Sequence, residues 1–200
     1  MKVLASGAAS ALAVAILQQP PSPVDFRPFT DGKHWIVKQP LTYIVGVSKD
    51  SVTVPRGFVT DFASIPASLQ SFIQPTGPNL LPAVVHDYLY WKQACTRAEA
   101  DQIMLLAMIE NEVPARQQRA IYQAVRRFGN SAWNTNAAER AQGRIRILPE
   151  HRIEIGPRTL WPMYQRRLIE EGVVNGPDTS VTTRLCARGS MTIKAALETP

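Results

Sequence analysis

The chain is poor in the side chains that most often staple small folds or run chemistry, with only 2 cysteines and 3 histidines in 200 residues. Two cysteines exclude a disulfide-dense scaffold, and Cys95 and Cys186 lack the CxxC spacing of a zinc finger or ribbon. In an exported protein the two can pair; in a cytosolic one they are separate thiols. Neither an HExxH zinc motif nor a GxSxG nucleophile elbow occurs. Charged residues make up 19% and aromatics 8%, against 45% hydrophobic residues, a balance that excludes disorder as the general state and favours a globular domain. Long apolar runs are also missing. Val3 to Leu17 is the one uncharged apolar stretch of note, too short to cross a membrane comfortably but of the length of a signal-peptide core.

Lys2 precedes that stretch, Ala13 and Ala15 form an A-x-A site, and the PPSP at Pro20 to Pro23 makes an extended spacer behind it. The expectation is a signal peptide with cleavage after Ala15 and an exported protein, periplasmic, extracellular or virion-associated. The alternatives are an uncleaved N-terminal segment, which would be the chain's only membrane contact, and a cytoplasmic location.

What is present in excess is proline, 16 residues, and arginine in the second half. The prolines fall mostly between apolar runs, which argues for short elements joined by stiff loops. Net charge is +6, and the arginines from Arg116 to Arg167 carry most of the excess. Such asymmetry suits an anionic partner, whether a cell-wall polymer, a lipid headgroup layer or a nucleic acid, although no nucleic-acid module or interleaved aromatic platform accompanies it. Solvated helix faces without a ligand are the plainer reading of the same arginines.

From Phe26 to Val59 the pattern is that of strands. HWIVKQ, LTYIVGV and SVTVPRGFV are rich in β-branched and aromatic residues and are divided by Pro40 and by the SKDS turn at Ser48 to Ser51. This small antiparallel sheet delivers Asp61 at the end of its last strand. Helices follow. Pro82 suits the first turn of one running through AVVHDYLYWKQA, and Thr96 with Glu99 forms a capping box that opens a second, from Arg97 to about Asn111. Pro114 begins a third, with Ile121, Val125 and Phe128 on its buried face and Gly129 as its C-cap. Beyond Trp133, IRILPEHRIEI has strand character, TLWPMYQRRLIEEG reads as a short helix, and the polar tail from Pro177 reads as an arm or a partly disordered segment. The predicted fold is α+β, a small N-terminal antiparallel sheet packed against a helical C-terminal half. Its organisation is a leader and spacer over 1–23, a domain over 24–135 and a basic, partly irregular extension over 136–200.

The chemistry, if any, gathers between Pro55 and Trp91, where Asp61, Ser64, His86 and Asp87 stand in two strongly apolar segments. Polar groups in such surroundings are paired, ligated or used. His86 and Asp87 are neighbours on a helix, so their side chains point about 100° apart and share one ion only at the helix edge. With Asp101 from the next helix and Asp61 from the sheet they make a candidate set for a divalent metal ion of oxygen preference, with open positions for water. In a second assignment Ser64 is a nucleophile, His86 its base, and Asp61 or Asp101 the group that orients the base. In a third, all five are structural: they bond backbone amides, a helix start and each other.

The segments GFVTDFASIP, AVVHDYLYW, RAEAD and YQAVRRFGNSAW together resemble the domain of unknown function DUF1353, over roughly Val37 to Trp133. Asp61, Ser64, His86, Asp87 and Asp101 fall on its polar motif positions. The resemblance implies an α+β domain and a phage or prophage origin, with phage structural proteins as further candidate partners, and it brings no activity with it. The HD pair followed by a later Asp is similar to HD-type metal phosphohydrolases only by analogy, since further histidine ligands are lacking. Two functional expectations follow. One is an envelope-associated, metal-assisted hydrolase of cell-wall material, with Asp61, His86, Asp87 and Asp101 on the ion and His86, Asp61 and Ser64 in catalysis. The other is a non-enzymatic virion or envelope interaction module.

Overall fold

The computed structural model describes residues 25–62, 77–179 and 181–200. The leader and the A-x-A site at Ala13 and Ala15 lie outside the described residues, as does Ser64.

Among the described residues five short strands form two antiparallel sheets. β1 (Phe26–Pro28), β2 (Trp35–Val37) and β5 (Val59–Thr60) make one, in the order β1-β2-β5; β3 (Leu41–Ile44) and β4 (Ser51–Val54) make the other. Register pairs Ile36 with Val59 and Trp35 with Thr60, so β2 aligns the strand end that carries Asp61. The run predicted as one strand, SVTVPRGFV, is broken at the turn after Pro55, and its two halves join different sheets. Gly57 allows this: it sits at φ +85°, and a Cβ there would stand 2.3 Å from the Leu148 carbonyl oxygen.

Among the described residues six helices follow: α1 (Leu80–Lys92), α2 (Arg97–Glu110), α3 (Ala115–Ala141), α4 (Trp161–Glu170), α5 (Thr183–Gly189) and α6 (Ile193–Glu198). The capping box is formed as read: the Thr96 side chain accepts from the Glu99 amide while the Glu99 carboxylate accepts from the Thr96 amide. α1 is buried on nearly all sides, from Leu80 to Trp91, because the sheets cover one face and α2 and α3 the other. It is the axle of the domain. The α+β architecture, small antiparallel sheets followed by helices, is that expected from the sequence.

Three differences are instructive. α3 does not stop at Gly129 but runs 27 residues, and Gly129 lies buried in mid-helix. The glycine serves close approach there, since a Cβ would come 2.3 Å from the Tyr90 hydroxyl. Phe128, expected on the buried face, is 59% exposed, one helical step off the stripe of Ile121, Val125 and Gly129. IRILPEHRIEI forms no strand of its own: Ile147 makes an isolated antiparallel bridge to Phe58, and a 3₁₀ turn follows at Glu150–Arg152.

The tail is helical in α5 and α6 and is tied to the domain. Leu185 and Ala196 reach the main core, and the Cys95–Cys186 disulfide fastens α5 beside the start of α2. Arg188, 4% exposed, donates to Asp50 Oδ2 at 2.6 Å and to the Thr199 carbonyl at 2.7 Å. A second apolar core joins Phe29, Ile36 and Val59 from the N-terminal half to Ile145, Leu148 and Trp161 from the C-terminal half. Among the described residues no helix is long and apolar enough to cross a membrane.

Candidate functional site

The residues singled out in the sequence divide between two sides of α1. His86 and Tyr90, four residues apart on that helix, face α2 and α3, their rings 4.1 Å apart by centroid. Asp101 of α2 lies between them. One of its oxygens, Oδ1, is 2.9 Å from His86 Nε2 and accepts from the Tyr90 hydroxyl at 2.7 Å; the other, Oδ2, accepts from Arg97 at 3.0 Å. Arg97 also donates to the carbonyls of Val125 and Arg126 in the middle of α3. One carboxylate thus joins three helices. Both His86 and Asp101 are 0% exposed. Burial, then the Asp101 charge and its hydrogen bond, push the Tyr90 hydroxyl far above the usual phenol range.

The network also fixes the imidazole. Asp101 accepts, so His86 presents Nε2–H to it and, in the neutral ring, leaves Nδ1 as an acceptor. That nitrogen is buried and has no hydrogen-bond partner among the described residues.

Asp87 turns the other way, toward the sheet. Its Oδ2 accepts from the Thr60 hydroxyl at 2.5 Å and from the Phe62 amide at 2.9 Å. Phe62 is at φ +52°, a left-handed conformation that costs a bulky residue on the order of 1–3 kcal/mol. A buried charge-assisted hydrogen bond is what holds it. Asp61, at the end of β5, accepts from Arg146 at 2.9 Å, and Arg146 further donates to the Val59 carbonyl and to Asn136. Arg146 was not distinguished in the sequence from the other arginines, and only its placement opposite the strand end shows its part.

His86 and Asp101 are therefore brought together, whereas Asp87 and Asp61 meet their partners Thr60, Phe62 and Arg146 on the sheet side. This is the 100° divergence of adjacent helical residues made visible. Among the described residues the group of three metal-ligand side chains close enough to share an ion is Cys95, Glu99 and Cys186. Its two sulfurs are spent in the disulfide, and the Glu99 carboxylate accepts from Thr96 and from the Ser190 hydroxyl. Burial raises the Glu99 pKa, but the bonds from the Thr96 amide, Ser190 and the Thr96 hydroxyl outweigh it and hold the group below the usual carboxylate range.

Fold and site together define a disulfide-fastened α+β domain with a buried His–Asp–Tyr–Arg network at its helical centre. A family model described as a protein of unknown function, DUF1353, matches residues 35–125. The match takes in β2 through the first half of α3 and contains every member of that network. None of the curated proteins matches the chain, and no solved structure does.

Proposed function

We propose that the chain is an exported, envelope-associated interaction module of phage or prophage derivation, in which the Asp/His set is structural. One observation supports the structural role: both oxygens of the Asp101 carboxylate, at zero exposure, accept from His86, Tyr90 and Arg97, so the group is already committed to joining the helices. The Cys95–Cys186 disulfide supports the exported compartment, because such bonds persist where the surroundings oxidise. Metal analysis of the purified chain, with thermal melts in the presence and absence of a chelator, tests the structural role. The expected result is sub-stoichiometric metal and an unchanged melting temperature. One equivalent of metal whose removal lowers the melting temperature would return Asp61, His86, Asp87 and Asp101 to the role of ligands.

A second reading, hydrolysis of cell-wall material, is favoured by the unpartnered Nδ1 of His86. An imidazole oriented by a carboxylate through one nitrogen and bare at the other has the arrangement of a general base. Release of soluble fragments from purified cell wall, lost in a folded His86→Gln variant and in Ser64→Ala, would establish it. No release by the wild-type chain removes it.

A further inference from the structure

The arginines of the second half are not equivalent once their partners are known. Arg146 pairs with Asp61, Arg152 and Arg167 with Glu171, and Arg188 with Asp50. These are parts of the fold. Arg116, Arg119, Arg126 and Arg127 are different: all four are exposed, and none makes an ion pair or hydrogen bond through its guanidinium among the described residues. All lie on α3, at intervals of three, seven and one, which places them on a single face about 100° wide. Asn130 and Asn134 continue the same line. The opposite face, with Ile121, Ala124, Val125 and Gly129, is buried against α1 and α2.

From Ala115 to Asn134 the helix contains no Asp or Glu, its first acid being Glu139. Unpaired like charges along one helix repel each other, and an ordinary solvated face intersperses both signs. The row is straight and, at 1.5 Å per residue, about 27 Å long from Arg116 to Asn134. Every side chain on it donates hydrogen bonds, and the four guanidinium forks match phosphate oxygens two at a time.

We infer that this face of α3 binds a linear phosphate polymer of the cell envelope. The inference rests on the exported reading above and adds the surface and the chemistry of the partner. Single-stranded nucleic acid carries the same charge, but it also needs successive bases to stack; Phe128 is the one exposed ring beside the row, and the Arg127 guanidinium lies over it at 5.4 Å from the centroid. An anionic bilayer surface attracts the same arginines, but the row itself has no apolar side chain to anchor it there.

The test is equilibrium binding of the oxidised full chain to purified poly(glycerol phosphate) teichoic acid across a salt series. Parallel arms use single-stranded DNA of equal phosphate content and vesicles containing anionic phosphatidylglycerol. Four phosphate contacts give a log–log salt slope of about −3 for a flexible polyanion. Arg126→Glu with Arg127→Glu is expected to weaken teichoic-acid binding at least about tenfold with an unchanged melting temperature. The same charge change made at Arg158 and Arg166, exposed sites elsewhere, is expected to leave most of the affinity intact. No teichoic-acid binding by the wild-type chain, equal loss in both double variants, or tighter binding to DNA or vesicles than to the polymer overturns the inference. The state of Cys95 and Cys186 in cells keeps the two readings apart. An oxidised protein that ignores the polymer sinks this inference alone, and a reduced, cytoplasmic one sinks the reading beneath it.

Discussion

Asp101 and Gly129 show how much one position can govern. The carboxylate binds a histidine, a tyrosine and an arginine from its own and a neighbouring helix, and the glycine lets α3 approach closely enough for Tyr90 to reach it. Asp101→Asn keeps the shape but removes the charge and turns one acceptor into a donor facing donors. It is expected to lower stability by about 3 kcal/mol or more, measured by urea unfolding, since breaking a buried pair leaves the rest uncompensated. Gly129→Ala puts a methyl group on the Tyr90 hydroxyl and is expected to cost about 1–3 kcal/mol. If the clash is the cause, Tyr90→Phe in the same background recovers part of that loss. Loss of stability that Tyr90→Phe does not relieve would place the strain elsewhere on α3.

At the scale of elements, the start of α2 and the tail depend on each other. Glu99 closes the capping box and also accepts from Ser190, immediately after α5. Its folded pKa is lowered, so its contribution is complete above the ordinary carboxylate value near 4.3 and disappears as pH falls through the lower folded value. Unfolding titrations from pH 6 down to pH 3 are expected to show an acid loss that Glu99→Gln reduces. The disulfide works at the same junction. Closing a loop of 91 residues removes unfolded-state entropy worth roughly 4–5 kcal/mol in the chain-entropy view. α5 and α6 have 7 and 6 residues, too short to persist unsupported. After reduction, hydrogen exchange is expected to rise first in these two helices and later in α1 to α3. Simultaneous exposure of all six helices would show that the bond sustains the whole domain and not its tail.

Over the whole molecule, the main features visible beforehand were those written locally. Alternating apolar residues gave strands, Thr96 and Glu99 gave a helix start, and the HD pair marked a polar spot in the core. What could not be read was decided by distant partners. Gly129 looks like a helix end until Tyr90 is placed against it, and Arg146 looks like any surface arginine until Asp61 and Asn136 surround it. The tail's polarity concealed Leu185 and Ala196, two small anchors that suffice once the disulfide is closed. The position where an extension was expected to begin, 136, falls inside α3, and the second core is shared by residues from both sides of it. A chain ending at Thr135 therefore leaves Phe29, Ile36 and Val59 uncovered. It is expected to be insoluble or to bind a hydrophobic dye, whereas a folded, monomeric 24–135 fragment would show that the second core is dispensable.

The bond between Cys95 and Cys186 also sets an order of events. At ordinary synthesis rates of about 5–20 residues per second, Cys95 is made roughly 5–20 s before its partner exists. In the folded protein that cysteine is buried, so it pairs only as the later segment carrying Cys186 packs beside the start of α2. The crosslink therefore acts as a latch that closes only once α5 has been made and has docked beside the start of α2.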